Sequence, residues 1–126
     1  MHKSKLAGFI IDCKSDDLKG AAAFWAAALG MEMRALPGEE GDTYMRLVDP
    51  EDRMDIEVQT VKHESRVHLD IAADDVEAEV QRIEKLGARR VANVRHWVVM
   101  EAPTGQRFCV VPGRSEGFKK TARTWK

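Results

Sequence analysis

The chain has 126 residues, 44% of them hydrophobic, and a formal net charge of −1 from 20 basic and 21 acidic side chains. That length and apolar fraction suit one globular domain with its own core and exclude a disordered chain. Mixed charge signs exclude a general nucleic-acid binder, which would carry a basic stripe, and no apolar run approaches the ~20 residues needed to span a bilayer.

The N-terminus MHKSKLAGFIIDCKSDD has a basic start but an apolar run of only LAGFII. This is too short for a signal peptide and lacks a cleavage pattern, so the expected location is the cytoplasm. Leu6 to Cys13 predicts a nearly continuous apolar strand, with Gly8, Ile10 and Asp12 on one face and Phe9, Ile11 and Cys13 on the other. Ser15-Asp16-Asp17 supplies helix-capping side chains. An alanine-rich helix carrying Leu18 and Trp25 follows and stops at Gly30. Strands are predicted over Met31 to Leu36, Tyr44 to Val48 and Met54 to Val61, separated by a loop at Pro37 to Asp42 and a turn at Asp49 to Asp52.

The same plan then repeats. Arg66 opens a strand with His68, Asp70 and Ala72 on one face and Val67, Leu69 and Ile71 on the other. Asp74-Asp75-Val76-Glu77 resembles a capping box with Asp74 as the cap. Val76, Val80, Ile83 and Leu86 form the apolar stripe of a helix that Gly87 ends. Three strands follow at Arg89 to Val94, Trp97 to Glu101 and Phe108 to Val111. The locally basic tail from Arg114 to Lys126 reads as a solvated face, with Phe118 and Trp125 as anchors onto the body. The order strand, helix, strand, strand, strand therefore occurs twice. One such module would leave a sheet face bare, and pairing two would cover it and form a cavity between the sheets. Cys13 and Cys109 form neither a disulfide framework nor a CxxC metal motif, so buried thiols are expected.

The segments IIDCKSDDLKGAAAFWAAALG, VHLDIAADDVEAEVQRIEKLGA and HWVVMEAPTGQRFCVV occur in an order that resembles the vicinal oxygen chelate superfamily. Within it the chain looks most like the glyoxalase-like domains, beside bleomycin-resistance proteins and extradiol dioxygenases. The resemblance implies an α+β fold of two βαβββ modules, with a mixed sheet curled around a central cavity. The whole chain, 1–126, would be one such domain: module one at about 5–62, module two at about 66–112, and a C-terminal tail at 113–126. The superfamily places divalent-metal ligands on the first and last strands of each module. Carried over, those positions fall at Gly8, Glu57, His68 and Cys109. Gly8 offers no ligand, and Cys109, or Val110 after a one-residue slip, stands where a glutamate is common. His68 and Glu57, with Cys109 as a third candidate, would hold zinc, nickel, iron or manganese if the reduced set suffices.

Each candidate also has a plainer reading. His68 is either a cavity-facing ligand or base, or a buried histidine held by Asp70 or the backbone. Glu57 is either a ligand or a solvent-facing strand residue. Asp12 and Asp70 occupy matching places in the two modules and read as hydrogen-bonding groups near the pseudo-twofold. Trp25, Asp70, Trp97, Phe108 and Phe118 are candidates for binding a small, partly aromatic ligand, and the aromatic residues are equally candidates for the core. Three functions remain: a metal-dependent lyase, isomerase or dioxygenase acting on vicinal oxygens through His68 and Glu57; a metal-free protein that binds a small molecule; and a subunit of an assembly. The incomplete ligand set favours the second. A small-molecule ligand and a homodimer are the expected partners.

Overall fold

Two compact units make up the computed structural model, which describes all 126 residues: one is Gly8–His68, the other Met1–Ala7 with Leu69–Lys126. The element order contains two βαβββ modules with both parallel and antiparallel pairing, the α+β class predicted above.

In the Gly8–His68 unit, the second part of β1 (His2–Lys14) leads into α1 (Leu18–Leu29), β2 (Glu32–Ala35), β3 (Tyr44–Val48) and β4 (Asp55–Val61). Strand β1 lies parallel to β4, in register from Gly8 opposite Asp55 to Lys14 opposite Val61. Strand β3 runs antiparallel to β4, and β2 antiparallel to β3. Helix α1 starts because the Asp17 carboxylate accepts the Gly20 N–H, and stops where Gly30 takes φ 69°. Its buried face consists of Ala22 and Ala26, whose small side chains let the helix settle closely on Ile11, Leu47, Ile56 and Val58. Residues 38–42, predicted as loop, form a short 3-10 turn.

Gly8 is a steric requirement of this sheet. A Cβ there would stand 1.8 Å from the Asp55 carbonyl oxygen, so only glycine permits the observed approach of β1 to β4.

In the other unit, the part of β5 (Arg66–Ala73) from Leu69 onward leads into α2 (Val76–Lys85), β6 (Arg89–Val94), β7 (Trp97–Glu101) and β8 (Arg107–Pro112). Strand β5 is parallel to β8, and β7 pairs antiparallel with both β8 and β6. Ala73, Val80, Ile83, Val98, Met100 and Val110 form its core. The helix cap is Asp75, not Asp74: the Asp75 carboxylate accepts the Ala78 N–H, while Asp74 accepts the Lys3 N–H at 2.8 Å. The predicted apolar stripe also ends early. Leu86 is 69% exposed because the last helical turn closes at Lys85.

The buried position that the stripe missed is Glu79, whose side chain is 0% exposed. Its Oε1 accepts from His2 Nε2 at 2.7 Å, and the Arg82 guanidinium donates to both carboxylate oxygens at 2.8 Å. Burial alone would raise the Glu79 carboxyl. Hydrogen bonds from Arg82, His2 and Ser4, with the Arg82 charge, outweigh it and hold the group below the usual carboxylate range. The tail completes this cluster through two elements that the sequence did not predict, α3 (Glu116–Thr121) and β9 (Arg123–Trp125). Strand β9 pairs with the start of β1. The Trp125 indole donates to Ser4 Oγ at 2.7 Å, and its ring lies 3.7 Å from the Arg82 guanidinium carbon. Phe118 is buried against Gly113, where an added Cβ would come within 2.7 Å of its ring.

Candidate functional site

Side-chain alternation sorts the first unit's sheet into two faces. Phe9, Ile11 and Cys13 of β1, Met45 and Leu47 of β3, and Ile56 and Val58 of β4 pack with α1. The intervening residues therefore point away from α1: Gly8, Ile10 and Asp12; Tyr44 and Arg46; Asp55, Glu57 and Gln59.

Asp12 is the centre of that face. It is 2% exposed, a costly position for a carboxylate that lacks polar partners. His68 Nδ1 donates to Asp12 Oδ2 at 2.7 Å, and the Arg66 guanidinium lies 3.9 Å from the same oxygen. His68 and Arg66 leave β5 on one face because they are two residues apart. The pairing places the imidazole proton on Nδ1 when the ring is neutral. Cys13, beside Asp12 in sequence, turns the other way. Burial pushes its thiol up, a Trp25 hydrogen bond partly offsets this, and the Asp12 charge adds to the rise.

On β5 and its partner β8, Asp70 stands directly opposite Cys109. Both belong to the face turned away from α2, since Ile71, Phe108 and Val110 pack on the helix side. Asp70 and Cys109 thus stand side by side on that face.

The two helix caps correct the assumed equivalence of the modules. His68 lies seven residues before its cap, Asp75; the residue seven before Asp17 is Ile10, not Gly8. Asp12 and Asp70 each lie five residues before their caps, and their register partners are Gln59 and Cys109. The module-one counterpart of Cys109 is thus Gln59, two residues beyond Glu57. The four positions that the resemblance assigns to metal ligands accordingly hold Ile10, Gln59, His68 and Cys109. An aliphatic side chain and a neutral amide fill the two module-one places, so these residues do not fit a four-ligand divalent-metal set.

The aromatic candidates separate. Trp25 packs on the α1 side of its sheet and Phe108 on the α2 side. Phe118 covers Gly113. Trp97 alternates with the core residue Val98, so it belongs to the sheet face that also carries Val99, the neighbour of Cys109. Sequence reasoning gave Asp12 a structural role and did not single out Arg66 or Gln59. The matching places of Asp12 and Asp70 were the one available signal.

A family model described as a glyoxalase-like domain matches residues 8–111. The chain belongs to the glyoxalase-like domain family. Solved structures with the same fold include methylmalonyl-CoA epimerase from Mycobacterium tuberculosis, at 16% identity and TM-score 0.64, covering 88% of this chain and 89% of that one. The hypothetical protein BH1468 from Bacillus halodurans matches at 15% identity and TM-score 0.60, over 90% of this chain and 98% of that one. A mutant of 4-hydroxymandelate synthase from Streptomyces coelicolor matches at 18% identity and TM-score 0.60, over 89% of this chain but 39% of that one. No curated protein matches the glyoxalase-like chain. At such identities these likenesses carry the fold alone. No helix is long and apolar enough to cross a membrane.

Proposed function

We propose that this glyoxalase-like domain binds a small molecule on the sheet face turned away from α1, and that His68 is the group that hydrogen-bonds to it or moves a proton on it. The observation that carries this reading is the 2.7 Å contact between His68 and a carboxylate that is 2% exposed. A buried acid that fixes an imidazole's tautomer and ring plane is how proteins prepare a histidine to act at its other nitrogen. Trp97, on the helix-free face of its own sheet, supports an aromatic component in the ligand. The reading includes a cytoplasmic homodimer.

The alternative is a metal-dependent lyase, isomerase or dioxygenase that chelates vicinal substrate oxygens through His68 and Glu57. It is the weaker reading, because Ile10 and Gln59 occupy the module-one positions and Glu57 is the counterpart of Arg107.

The test is a thermal-shift and tryptophan-fluorescence screen against catechols, aromatic carboxylic acids and thiol adducts, run on the wild type, His68→Ala and Asp12→Asn. Binding should fall at least about tenfold in His68→Ala, equivalent to ~1.4 kcal/mol, and by less in Asp12→Asn. A compound that binds wild type and His68→Ala equally would remove His68 from the site. Absence of binding across the screen would count against the small-molecule reading.

A further inference from the structure

We propose that the basic face built by the start of β1, α3 and β9 docks on an anionic phospholipid surface. This goes beyond the ligand-binding reading and does not depend on it.

The charge of this chain is segregated. Residues 1–7 hold Lys3 and Lys5 and no acid; residues 114–126 hold five cations and one acid, Glu116, so the two segments together carry +6. The whole chain carries −1, and everything outside these segments therefore carries −7. Folding joins the two segments within one unit. Strand β9 pairs antiparallel with β1, from His2 opposite Trp125 to Ser4 opposite Arg123.

Alternation then splits the start of β1. His2 and Ser4 turn to Glu79 and Trp125, while Lys3 and Lys5 reach α3. The Lys3 ammonium donates to the Lys119 carbonyl at 3.3 Å, and the Lys5 ammonium to the Thr121 hydroxyl at 2.7 Å. Both acceptors are neutral, so they hold the ammonium groups in place without cancelling their charge. Lys119 and Lys120 on the same helix are exposed. Nearby acids compensate little of this. Glu79 is taken by Arg82, Asp74 accepts the Lys3 backbone N–H, and Glu116 lies 3.6 Å from Lys119 with both side chains largely in water.

The aromatic residues decide which polyanion fits. A single-stranded nucleic acid needs bare rings on which its bases stack. An acidic protein partner needs aromatic or apolar anchors at the centre of the patch. Here Phe118 is buried, and the Trp125 ring has the guanidinium carbon of Arg82 at 3.7 Å and that of Arg123 at 5.8 Å. Both rings are engaged inside the protein, and what the face presents is mainly lysine. An ammonium on a flexible stem acts as a point charge without fixed geometry, which suits mobile lipid headgroups. An anionic bilayer attracts each nearby cation, at about fivefold in affinity per charge.

The experiment is co-sedimentation of the full chain with phosphatidylcholine vesicles, with and without about 30% phosphatidylserine, at roughly 50 and 500 mM salt. The protein should bind the phosphatidylserine vesicles at low salt, leave them at high salt and ignore pure phosphatidylcholine. Lys119→Gln with Lys120→Gln should weaken binding about 25-fold. Lys19→Gln with Lys62→Gln, exposed positions of the other unit, should change it less than about twofold. Circular dichroism checks that each variant is folded; Arg114→Gln with Lys126→Gln, with the same expected loss, replaces the first pair if that one is not. No binding at low salt, equal binding to the two vesicle types, or equal losses in the two double variants would overturn the proposal. Tighter binding to a single-stranded DNA oligonucleotide than to the vesicles would also overturn it and assign the face to nucleic acid. Full competition by millimolar inorganic phosphate would reduce the face to a site for a single anion and overturn it too. None of these readouts uses the small molecules of the ligand screen, so failure here leaves that reading standing, and the converse also holds.

Discussion

Replacing Glu79 with alanine should be among the most damaging single changes in this chain, although nothing in the helix pattern marks the position. The side chain is 0% exposed and holds three donors: the bidentate Arg82 guanidinium, the His2 ring and the Ser4 hydroxyl. Removing one partner from a buried ion pair costs about 3–5 kcal/mol, because the other charge is left without compensation. The lower end applies here, since the Arg82 side chain is 26% exposed and can turn toward water. A loss of about 3 kcal/mol corresponds to a Tm roughly 10 °C lower for a domain of this size. Glu79→Gln preserves the volume and part of the hydrogen bonding, so its loss should be about half as large. The pH dependence supplies a second check. The folded Glu79 carboxyl is held below its unfolded value, so its stabilisation is present above the unfolded pKa and lost as pH falls through the folded one. Differential scanning calorimetry from pH 7 down to about pH 3 should show the gap between wild type and Glu79→Gln narrowing as Glu79 protonates. A Tm within about 2 °C of wild type for Glu79→Ala at pH 7 would refute the account. So would a gap to Glu79→Gln that stays constant with pH.

Three further substitutions test the local arguments. Gly8→Ala forces a methyl to within 1.8 Å of the Asp55 carbonyl oxygen and should cost at least about 1–3 kcal/mol by urea unfolding; a neutral result would mean that β1 and β4 separate easily. Asp75→Ala removes the α2 cap and should cost about 1 kcal/mol, more than Asp74→Ala, and the reverse order would restore Asp74 as the cap. Phe118→Ala empties a buried site over Gly113 and should cost about 3–5 kcal/mol by chemical denaturation; a loss under about 1 kcal/mol would show that α3 contributes little to the fold.

The repeated module was legible because its signals are local. A strand of alternating faces, a capping aspartate, an apolar helix face and a terminating glycine each follow from side chains within a few residues of one another. Asp17 and Gly30 bound α1 as the sequence predicts. The reading was weaker where local signals compete. Asp74 and Asp75 are chemically equal as caps, and the choice fell to Asp75 while the Lys3 N–H, 71 positions away in sequence, took Asp74. Glu79 was missed for the same kind of reason. A helix wheel reads a glutamate as solvent-facing, and the groups that make its burial tolerable come from β1, from the next turn of α2 and, through Ser4, from β9.

The site was the hardest part to read, because its residues depend on register and a shift of two residues keeps every side chain on the same face. Gly8 and Ile10 share a face, as do Glu57 and Gln59. Hydrophobic alternation therefore cannot say which member of each pair is the counterpart of His68 or Cys109. The helix caps and the strand pairing decide it, and they expose an asymmetry between the modules. Where module two carries an imidazole and a thiol, module one carries the Ile10 side chain and the Gln59 amide. Both modules carry an aspartate at the matching place: Asp12 accepts from His68 Nδ1, and Asp70 sits opposite Cys109. A chain arranged this way lacks the symmetric four-ligand set that the resemblance implies, yet it holds His68 Nδ1 against a buried carboxylate. Ligand binding at the proposed site should accordingly respond more to His68→Ala than to any change at Glu57.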